Sequence, residues 1–164
     1  MSIYTTMESP LGDLILVGEA ANGGVTLREV SFAEAAAVDP RWRRDPAAFG
    51  EVERQLREYF AGHRTAFALE HVPHGTPFQR RVWAAVEEIP YGATASYGAV
   101  AARIGAPRDR IRAVGAAVGA NPLLIVRPCH RVVGADGTLT GYAGGVPRKH
   151  ELLTHEGALQ PQLL

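Results

Sequence analysis

Glycine and proline residues recur in the second half of this 164-residue chain and limit it to short helices. Thr76 and Gln79 form a capping-box pattern around Pro77, which suits the first position of a helix. Further along, glycine and proline interrupt the apolar periodicity at Pro90-Tyr91-Gly92, Gly105-Ala106-Pro107 and Gly119-Ala120-Asn121-Pro122. The pattern predicts several short helices packed together and excludes a single long helix in this half.

Two of these helices form a helix-turn-helix candidate. Ser96 can cap the first, and Gly105-Ala106-Pro107 makes the turn to the second. The predicted inner faces carry Tyr97, Val100, Ala101 and Ile104 on the first helix and Ile111, Val114, Gly115 and Val118 on the second.

The predicted outer face of the second helix is nearly smooth. Arg112 is its one long side chain, and the other members are Ala113, Ala116, Ala117 and Ala120. Small residues let another surface approach closely, and a lone arginine beside them suits a wedge inserted into a DNA groove. Packing of this face against protein is an equally open interpretation.

The first half is predicted to be an α/β domain. Leu14–Val17 and Val25–Val30 have the composition of strands, and a helix from Asp45-Pro46 onward ends at Gly62. Its apolar positions are Phe49, Val52, Leu56 and Tyr59. A breaker-rich linker at about 70–76 divides the chain into domains 1–75 and 76–164.

The formal net charge is zero, which argues against a non-specific polyanion binder. Residues 1–75 nevertheless carry seven basic and eleven acidic side chains, a net of −4, whereas residues 76–164 carry ten basic and six acidic, a net of +4. Any contact with nucleic acid is therefore expected in the second half. No leader or membrane-spanning pattern is recognisable, so a cytoplasmic protein is expected.

Cys129 is the only cysteine and cannot form an internal disulfide. It is either an inert core residue, as free cysteine often is, or a reactive nucleophile. Pro128 places it at a chain bend and His130 brings a titratable ring beside it.

The segment after Cys129 is expected to be a wing-like hairpin. Val132-Val133 and Leu139–Tyr142 flank the turn Gly134-Ala135-Asp136-Gly137, and the glycine-rich stretch 141–145 is expected to be a mobile loop. A last helix follows, and its periodicity alone makes Glu156 a solvated carboxylate at the helix end.

Five separated elements resemble the O6-alkylguanine-DNA alkyltransferase family over residues 76–164. They are Pro128-Cys129-His130-Arg131-Val132, Asn121-Pro122 eight residues before the cysteine, Arg112-Ala113-Val114-Gly115 seventeen before it, Gly141-Tyr142-Ala143-Gly144-Gly145, and His155-Glu156-Gly157. The resemblance implies an RNase H-like α/β N-terminal domain followed by a mainly α winged helix-turn-helix domain that binds DNA and performs catalysis.

The resemblance also implies a function. Proteins of this family flip a damaged guanine out of duplex DNA and move the alkyl group from its O6, and from O4 of thymine, irreversibly to a cysteine, one lesion per protein. The implied catalytic residues are Cys129 as acceptor, His130 as base, Glu156 as its orienting carboxylate, Asn121 and Tyr97.

The remaining implied sites lie around these. The implied DNA-binding residues are Arg112, Ala113, Ala116, Ala117, Tyr97 and Arg131, and the implied pocket for the alkylated base is formed by Tyr142, Ala143, Gly144 and Pro128. Binding is implied in the minor groove of double-stranded DNA, by a monomer, with cooperativity along DNA left open. No cofactor and no metal is implied, and His63, His71 and His74 alone make a weak zinc site.

Two alternatives remain at this point. A winged-helix regulator with a redox- or alkylation-sensing Cys129 would use the helix-turn-helix but not His130 with Glu156. A cysteine hydrolase would use the nucleophile, although no oxyanion hole is apparent. Arg127, which stands where the family usually has an apolar residue, departs from the pattern and leaves the packing behind the cysteine unexplained.

Overall fold

The computed structural model describes residues 1–159. The chain divides into two compact units between His74 and Gly75, within the segment expected to be the linker. Each unit is described by itself.

The first unit is a four-stranded sheet with one helix. The strand order is β3-β2-β1-β4, with β1–β2 and β2–β3 antiparallel and β1–β4 parallel. The elements are β1 (Ser2–Met7), β2 (Leu14–Ala21), β3 (Gly24–Phe32), β4 (Arg43–Arg44) and α1 (Gly50–Phe60). Both predicted strands are confirmed and longer than predicted, while β1 and β4 were not foreseen.

The predicted apolar positions of the first helix are confirmed. Val52, Leu56 and Tyr59 of α1 are buried, as is Phe49, but the predicted start of the helix at Asp45-Pro46 is instead a 3-10 turn (Pro46–Phe49) just before α1, and Gly62 follows the helix with a φ of +80°. A bulge at Val17/Gly18 in β2 depends on glycine, because a Cβ on Gly18 would lie 2.5 Å from the carbonyl oxygen of Thr26.

The second unit is mainly helical. Its elements are α2 (Pro77–Glu87), β5 (Ala95–Ser96), α3 (Tyr97–Arg103), α4 (Ile111–Gly119), β6 (Val132–Val133) and α5 (Val146–His155). The capping box is confirmed: the Gln79 backbone N–H donates to Thr76 Oγ1 at 3.1 Å, and the Thr76 N–H donates to Gln79 Oε1 at 2.9 Å. Ser96 caps α3 by accepting from the Ala99 N–H at 3.0 Å. No helix in the described part of the chain is long and apolar enough to cross a membrane.

Helix α4 is rotated slightly relative to the predicted faces: Val114 and Val118 are buried and Arg112 is exposed as predicted, but two other residues differ. Ala117 was expected on the outer face but is only 2 % exposed, whereas Ile111, expected inside, is 38 % exposed. The reason is that α4 packs against both α2 and α3, and Trp83 of α2 donates its indole N–H to the Ala117 carbonyl at 2.8 Å. Ala117 is therefore unavailable to an external partner.

The expected hairpin after the cysteine is only half formed. The turn exists, because the Gly134 N–H donates to the Thr138 carbonyl at 2.9 Å. Residues 139–142 form no strand, and β6 instead pairs in parallel with β5, which precedes α3. The prediction of a second hairpin strand was wrong, and the pairing ties the cysteine turn to the start of α3.

Candidate active site

Cys129 begins a single 3-10 turn, Cys129–Arg131, that leads into β6. The preceding loop contains a strained residue: Ile125 has a φ of +71° and is buried, a backbone conformation that a β-branched side chain rarely adopts. Such strain persists only where the surroundings enforce it, and it is common beside functional groups. The cysteine therefore sits on a turn that the fold holds in a fixed geometry.

Asn121 is the residue that ties this loop together. Its side-chain oxygen accepts from the Leu123 N–H at 2.9 Å, and its amide nitrogen donates to the carbonyls of Leu123 and Arg127 at 3.3 and 3.1 Å. Asn121 follows the end of α4, so these bonds connect the second helix of the helix-turn-helix directly to the cysteine turn.

His130, Glu156 and Arg131 form a buried group behind the cysteine. His130 Nε2 lies 2.8 Å from Glu156 Oε2, and neither side chain has exposed surface. Arg131 donates from Nε and Nη2 to the same carboxylate at 2.8 and 3.1 Å, and from Nη1 to the Ile89 carbonyl at 2.7 Å. The interpretation of Glu156 as a solvated helix-end group was wrong.

Arg131 is likewise not the DNA contact that was expected. It is only 7 % exposed, and its guanidinium is bound within the protein. An arginine is always charged, so it compensates the carboxylate buried beside His130. The role of Arg131 in this structure is therefore to hold Glu156 in place.

The environment of His130 favours a neutral ring that can take up a proton. Burial is the largest influence and lowers the pKa of His130, although the hydrogen bond to Glu156 acts in the opposite direction. A carboxylate can only accept a hydrogen bond, so Nε2 carries the ring proton. Nδ1 is buried without a hydrogen-bond partner among residues 1–159 and keeps its lone pair for a proton.

The thiol is not ionised in advance. Cys129 is 2 % exposed, and this burial raises its pKa to about 12. The charge of Arg127, a hydrogen bond from Asn121 and the charge of Lys149 lower the pKa again, in decreasing order, without overcoming the burial. A reaction through Cys129 at neutral pH therefore needs a base such as His130.

A loop with an aromatic ring covers the other side of His130. Tyr142 packs edge-on against the imidazole with 6.4 Å between ring centroids, and burial raises the pKa of its phenol far above the ordinary range. Lys149 anchors the loop by donating to the carbonyls of Thr140 and Gly141 at 3.0 and 3.4 Å. Gly144 is buried and accepts from Arg148 at 3.2 Å, whereas Ala143 is exposed.

The other expected site residues lie on the helix-turn-helix. Tyr97 begins α3, and its phenol oxygen accepts from Thr140 Oγ1 at 3.2 Å. Arg112 and Ala116 are exposed on α4, and Ala113 is partly buried. Exposed Arg112 is thus separate from the buried group around Cys129.

Lys149 is a site residue that the sequence interpretation missed. It is fully buried, and burial lowers its pKa to about 8. A signal was present, because Lys149, Leu152, Leu153 and Glu156 recur at helical spacing on one face of α5. No group of three or more ligating side chains that could hold a metal ion occurs in residues 1–159.

The helical unit combines a helix-turn-helix, which is typical of DNA-binding proteins, with a buried cysteine next to a histidine–glutamate pair, a pattern that favours a cysteine nucleophile. The family models agree. The 6-O-methylguanine DNA methyltransferase ribonuclease-like domain matches residues 2–73, and the DNA binding domain of the same family matches residues 77–158. The chain belongs to this family, so the resemblance seen in the sequence is confirmed, with its ribonuclease-like and helical DNA-binding domains.

Individual relatives cover almost the whole chain. The methylated-DNA–protein-cysteine methyltransferase of Mycobacterium tuberculosis strain H37Rv is 48 % identical over 160 residues, which is 96 % of this chain and 94 % of that protein. The counterpart in Methanosarcina acetivorans is 44 % identical, covering 94 % of this chain and 98 % of that protein.

Solved structures give the same result. The crystal structure of the Mycobacterium tuberculosis O6-methylguanine methyltransferase has a TM-score of 0.86 at 47 % identity, covering 98 % of this chain and 96 % of that one. A structure of the protein from that organism in complex with DNA has a TM-score of 0.85 at 48 % identity, covering 94 % and 92 %.

Proposed function

We propose that this protein repairs DNA by direct reversal, moving an alkyl group from O6 of guanine, and from O4 of thymine, to Cys129. The observation that carries the proposal is the buried relay in which Glu156 holds His130 at 2.8 Å directly after the single cysteine. The family and the named activity of its relatives give the same reaction, a methyl transfer to a protein cysteine.

The relay supplies what the reaction needs. The thiol proton passes to the free Nδ1 of His130, through a water molecule, while the Cys129 sulfur displaces guanine from the alkyl carbon. Glu156, itself held by Arg131, accepts from Nε2 of the ring, so the Nε2 proton stays in place. A carbon–sulfur bond forms, the carbon–oxygen bond to O6 breaks with its electron pair left on O6, and the Tyr97 phenol donates a hydrogen bond to the guanine anion that leaves.

The helix-turn-helix of α3 and α4 is the proposed DNA contact. Exposed Arg112 would fill the gap that a flipped nucleotide leaves, while Ala113 and Ala116 would allow a close approach in the minor groove. The loop with Tyr142, Ala143 and Gly144, together with Pro128, would enclose the base. A monomer would suffice for this arrangement, and the turn at 134–138 would serve as the wing.

The product is a thioether that nothing in the proposed chemistry reverses, so each protein repairs one lesion. The regulator with a sensing cysteine is not favoured, because sensing thiols are accessible and of low pKa. Cys129 is buried, and its pKa is raised.

Mass spectrometry tests the proposal. Intact protein mixed with duplex DNA carrying one O6-methylguanine should gain about 14 Da, a methyl in place of a hydrogen, on Cys129 alone and stop at one equivalent. The Cys129→Ser variant should gain nothing. Repeated turnover, or an unmodified protein after full mixing, would overturn the assignment.

A further inference from the structure

Arg127 is a buried charged side chain directly before the Pro128-Cys129 turn. It is only 6 % exposed, although arginine is almost never buried without partners. The family usually has an apolar residue here, so the structure has to account for the guanidinium. Its surroundings lie on the helix behind the turn.

The guanidinium is held between two residues of α2. Its Nε donates to Glu87 Oε1 at 2.9 Å, and its Cζ lies 4.5 Å from the centroid of the Trp83 ring, a cation–π contact. Trp83 is itself fixed, because its indole N–H donates to the Ala117 carbonyl on α4. The position of the arginine is therefore set by two helices.

From this position Arg127 acts on the turn in two ways. Its Nη1 makes a longer contact of 3.4 Å with Asn121 Oδ1, the oxygen that also accepts from Leu123. Its carbonyl accepts from the Asn121 side chain at 3.1 Å and from the Cys129 N–H at 2.8 Å. The Arg127 side chain thus contacts Asn121, while the Arg127 carbonyl binds both Asn121 and Cys129.

The charges of Arg127 and Glu87 shift the pKa of the Cys129 thiol in opposite directions. Arg127 is the strongest of the influences that lower the pKa of Cys129, ahead of the hydrogen bond from Asn121, whereas the charge of Glu87 raises that pKa. Glu87 is 46 % exposed, so water screens it more than it screens the buried guanidinium. Among the charges near the thiol, Arg127 therefore acts on its pKa more strongly than Glu87 does.

We propose that Arg127 is a positioning residue for the transfer, whose guanidinium orients Asn121 and stabilises the developing Cys129 thiolate. The inference rests on the proposed function for the reaction that it assists. In this role the Arg127 guanidinium stabilises charge on the sulfur, whereas the apolar side chain usual in the family would contribute packing alone.

The pair Arg127 and Glu87 separates this role from a merely structural one. If the ion pair only holds α2 to the turn, Arg127→Met and Glu87→Gln break the same contact and act in the same direction. If the charge of Arg127 supports the thiolate, the two substitutions act in opposite directions, because Glu87 opposes that support.

The first experiment measures alkylation of DNA-free protein by iodoacetamide, a small neutral reagent, from pH 6 to 9. The single cysteine makes every thiol adduct a Cys129 adduct, and peptide mapping of the adduct counts these alone. We expect Arg127→Met to react about threefold to tenfold more slowly, since a higher pKa leaves less thiolate although each thiolate is more nucleophilic. Glu87→Gln should react faster. Loosening of the turn would expose the thiol and speed the reaction, so it cannot produce the expected fall.

Two sets of control variants complete the alkylation experiment. Arg127→Lys keeps the charge and should recover part of the rate. Arg103→Met and Glu88→Gln, which break an exposed ion pair elsewhere in the same unit, should leave the rate unchanged. The proposal would be overturned if Glu87→Gln and Arg127→Met changed the alkylation rate in the same direction. It would also be overturned if Glu87→Gln reacted no faster than the unmodified protein.

The second experiment measures methyl transfer from O6-methylguanine in duplex DNA. Arg127→Met should transfer about tenfold more slowly at neutral pH, with Arg127→Lys in between. Transfer by Arg127→Met at the unmodified protein's rate would overturn the positioning role. If the unmodified protein itself accepts no methyl group, the proposed function fails, and the iodoacetamide series still decides whether Arg127 supports the thiolate.

Discussion

At the scale of single residues, the site depends on how buried charges are compensated. Glu156 is fully buried and accepts from both His130 and Arg131. Removing one partner of such a group leaves the other charge without compensation inside the protein, which costs more than the pair itself contributes. Stability and reactivity are therefore coupled at this carboxylate.

Glu156→Gln tests that coupling. We expect the free energy of unfolding to fall by about 3–5 kcal/mol, because Arg131 loses its counter-charge, and methyl transfer to slow about a hundredfold, because His130 loses its orienting carboxylate. Urea unfolding and a timed mass-spectrometric assay measure the two effects. Glu151→Gln, on the exposed side of the same helix, is the control. Normal transfer by a folded Glu156→Gln protein would contradict the relay.

The raised pKa of Cys129 gives a second residue-scale prediction. Because burial raises this pKa to about 12, the thiolate fraction should still be increasing throughout the neutral range. Alkylation of the DNA-free protein by iodoacetamide should rise about tenfold per pH unit across that range. A plateau near neutral pH would mean a thiol of low pKa and would favour the sensing regulator instead.

At the scale of elements, local signals decide where helices begin. The capping box of α2 satisfies backbone N–H groups that have no partner within the helix, and Trp83 and Glu87 of the same helix hold Arg127. The start of α2 therefore supports the elements that position the cysteine turn.

Thr76→Ala should destabilise the protein by about 1 kcal/mol, because the Gln79 N–H loses its acceptor. Thr76→Ser keeps the hydroxyl and should lose much less. Chemical unfolding monitored by circular dichroism compares the two. Equal losses would mean that the methyl group of Thr76, and not the cap, provides the stabilisation.

Pairing between distant elements was not accessible from such local signals. The segment Val132-Val133 was expected to pair with 139–142 across a nearby turn, but it pairs with Ala95-Ser96. Two-residue strands carry almost no periodicity, so only the packing of α3 against the cysteine turn selects the partner. The rotation of α4, which buries Ala117, has the same origin, since both α2 and α3 pack against it.

At the scale of the whole molecule, the charge of the chain is divided between the two units. The net of +4 lies in the unit with the helix-turn-helix, and the net of −4 lies in the ribonuclease-like unit. Such a division favours an encounter with DNA through the helical unit. Arg112 is the exposed charge on α4 that the proposed function places within the duplex.

Arg112→Ala should slow methyl transfer in duplex DNA about tenfold or more, because the wedge no longer offsets part of the cost of unstacking the base. Transfer from the free base O6-methylguanine, which needs no flipping, should change little. Arg41→Ala, which removes an exposed arginine of the ribonuclease-like unit, is the control and should leave both rates unchanged. Equal losses on both substrates would remove the wedge role of Arg112.

The sequence by itself determined the composition of the site and most of its helical framework. The capping box, the helix breaks and the spacing of Arg112, Asn121, Cys129 and Glu156 are local patterns, and local patterns follow from backbone geometry and apolar periodicity. The family followed from the same spacings. The first-half strands followed from composition, apart from β1 and β4.

Only the tertiary structure decided what these residues do. Periodicity placed Glu156 in solvent and the family pattern placed Arg131 on DNA, yet the two meet inside the protein because α5 packs against the cysteine turn. The same holds for Arg127, an unexplained departure in the sequence that α2 binds through Trp83 and Glu87. Burial and ion pairing depend on residues far apart in the chain, and these contacts set the protonation of Cys129 and His130.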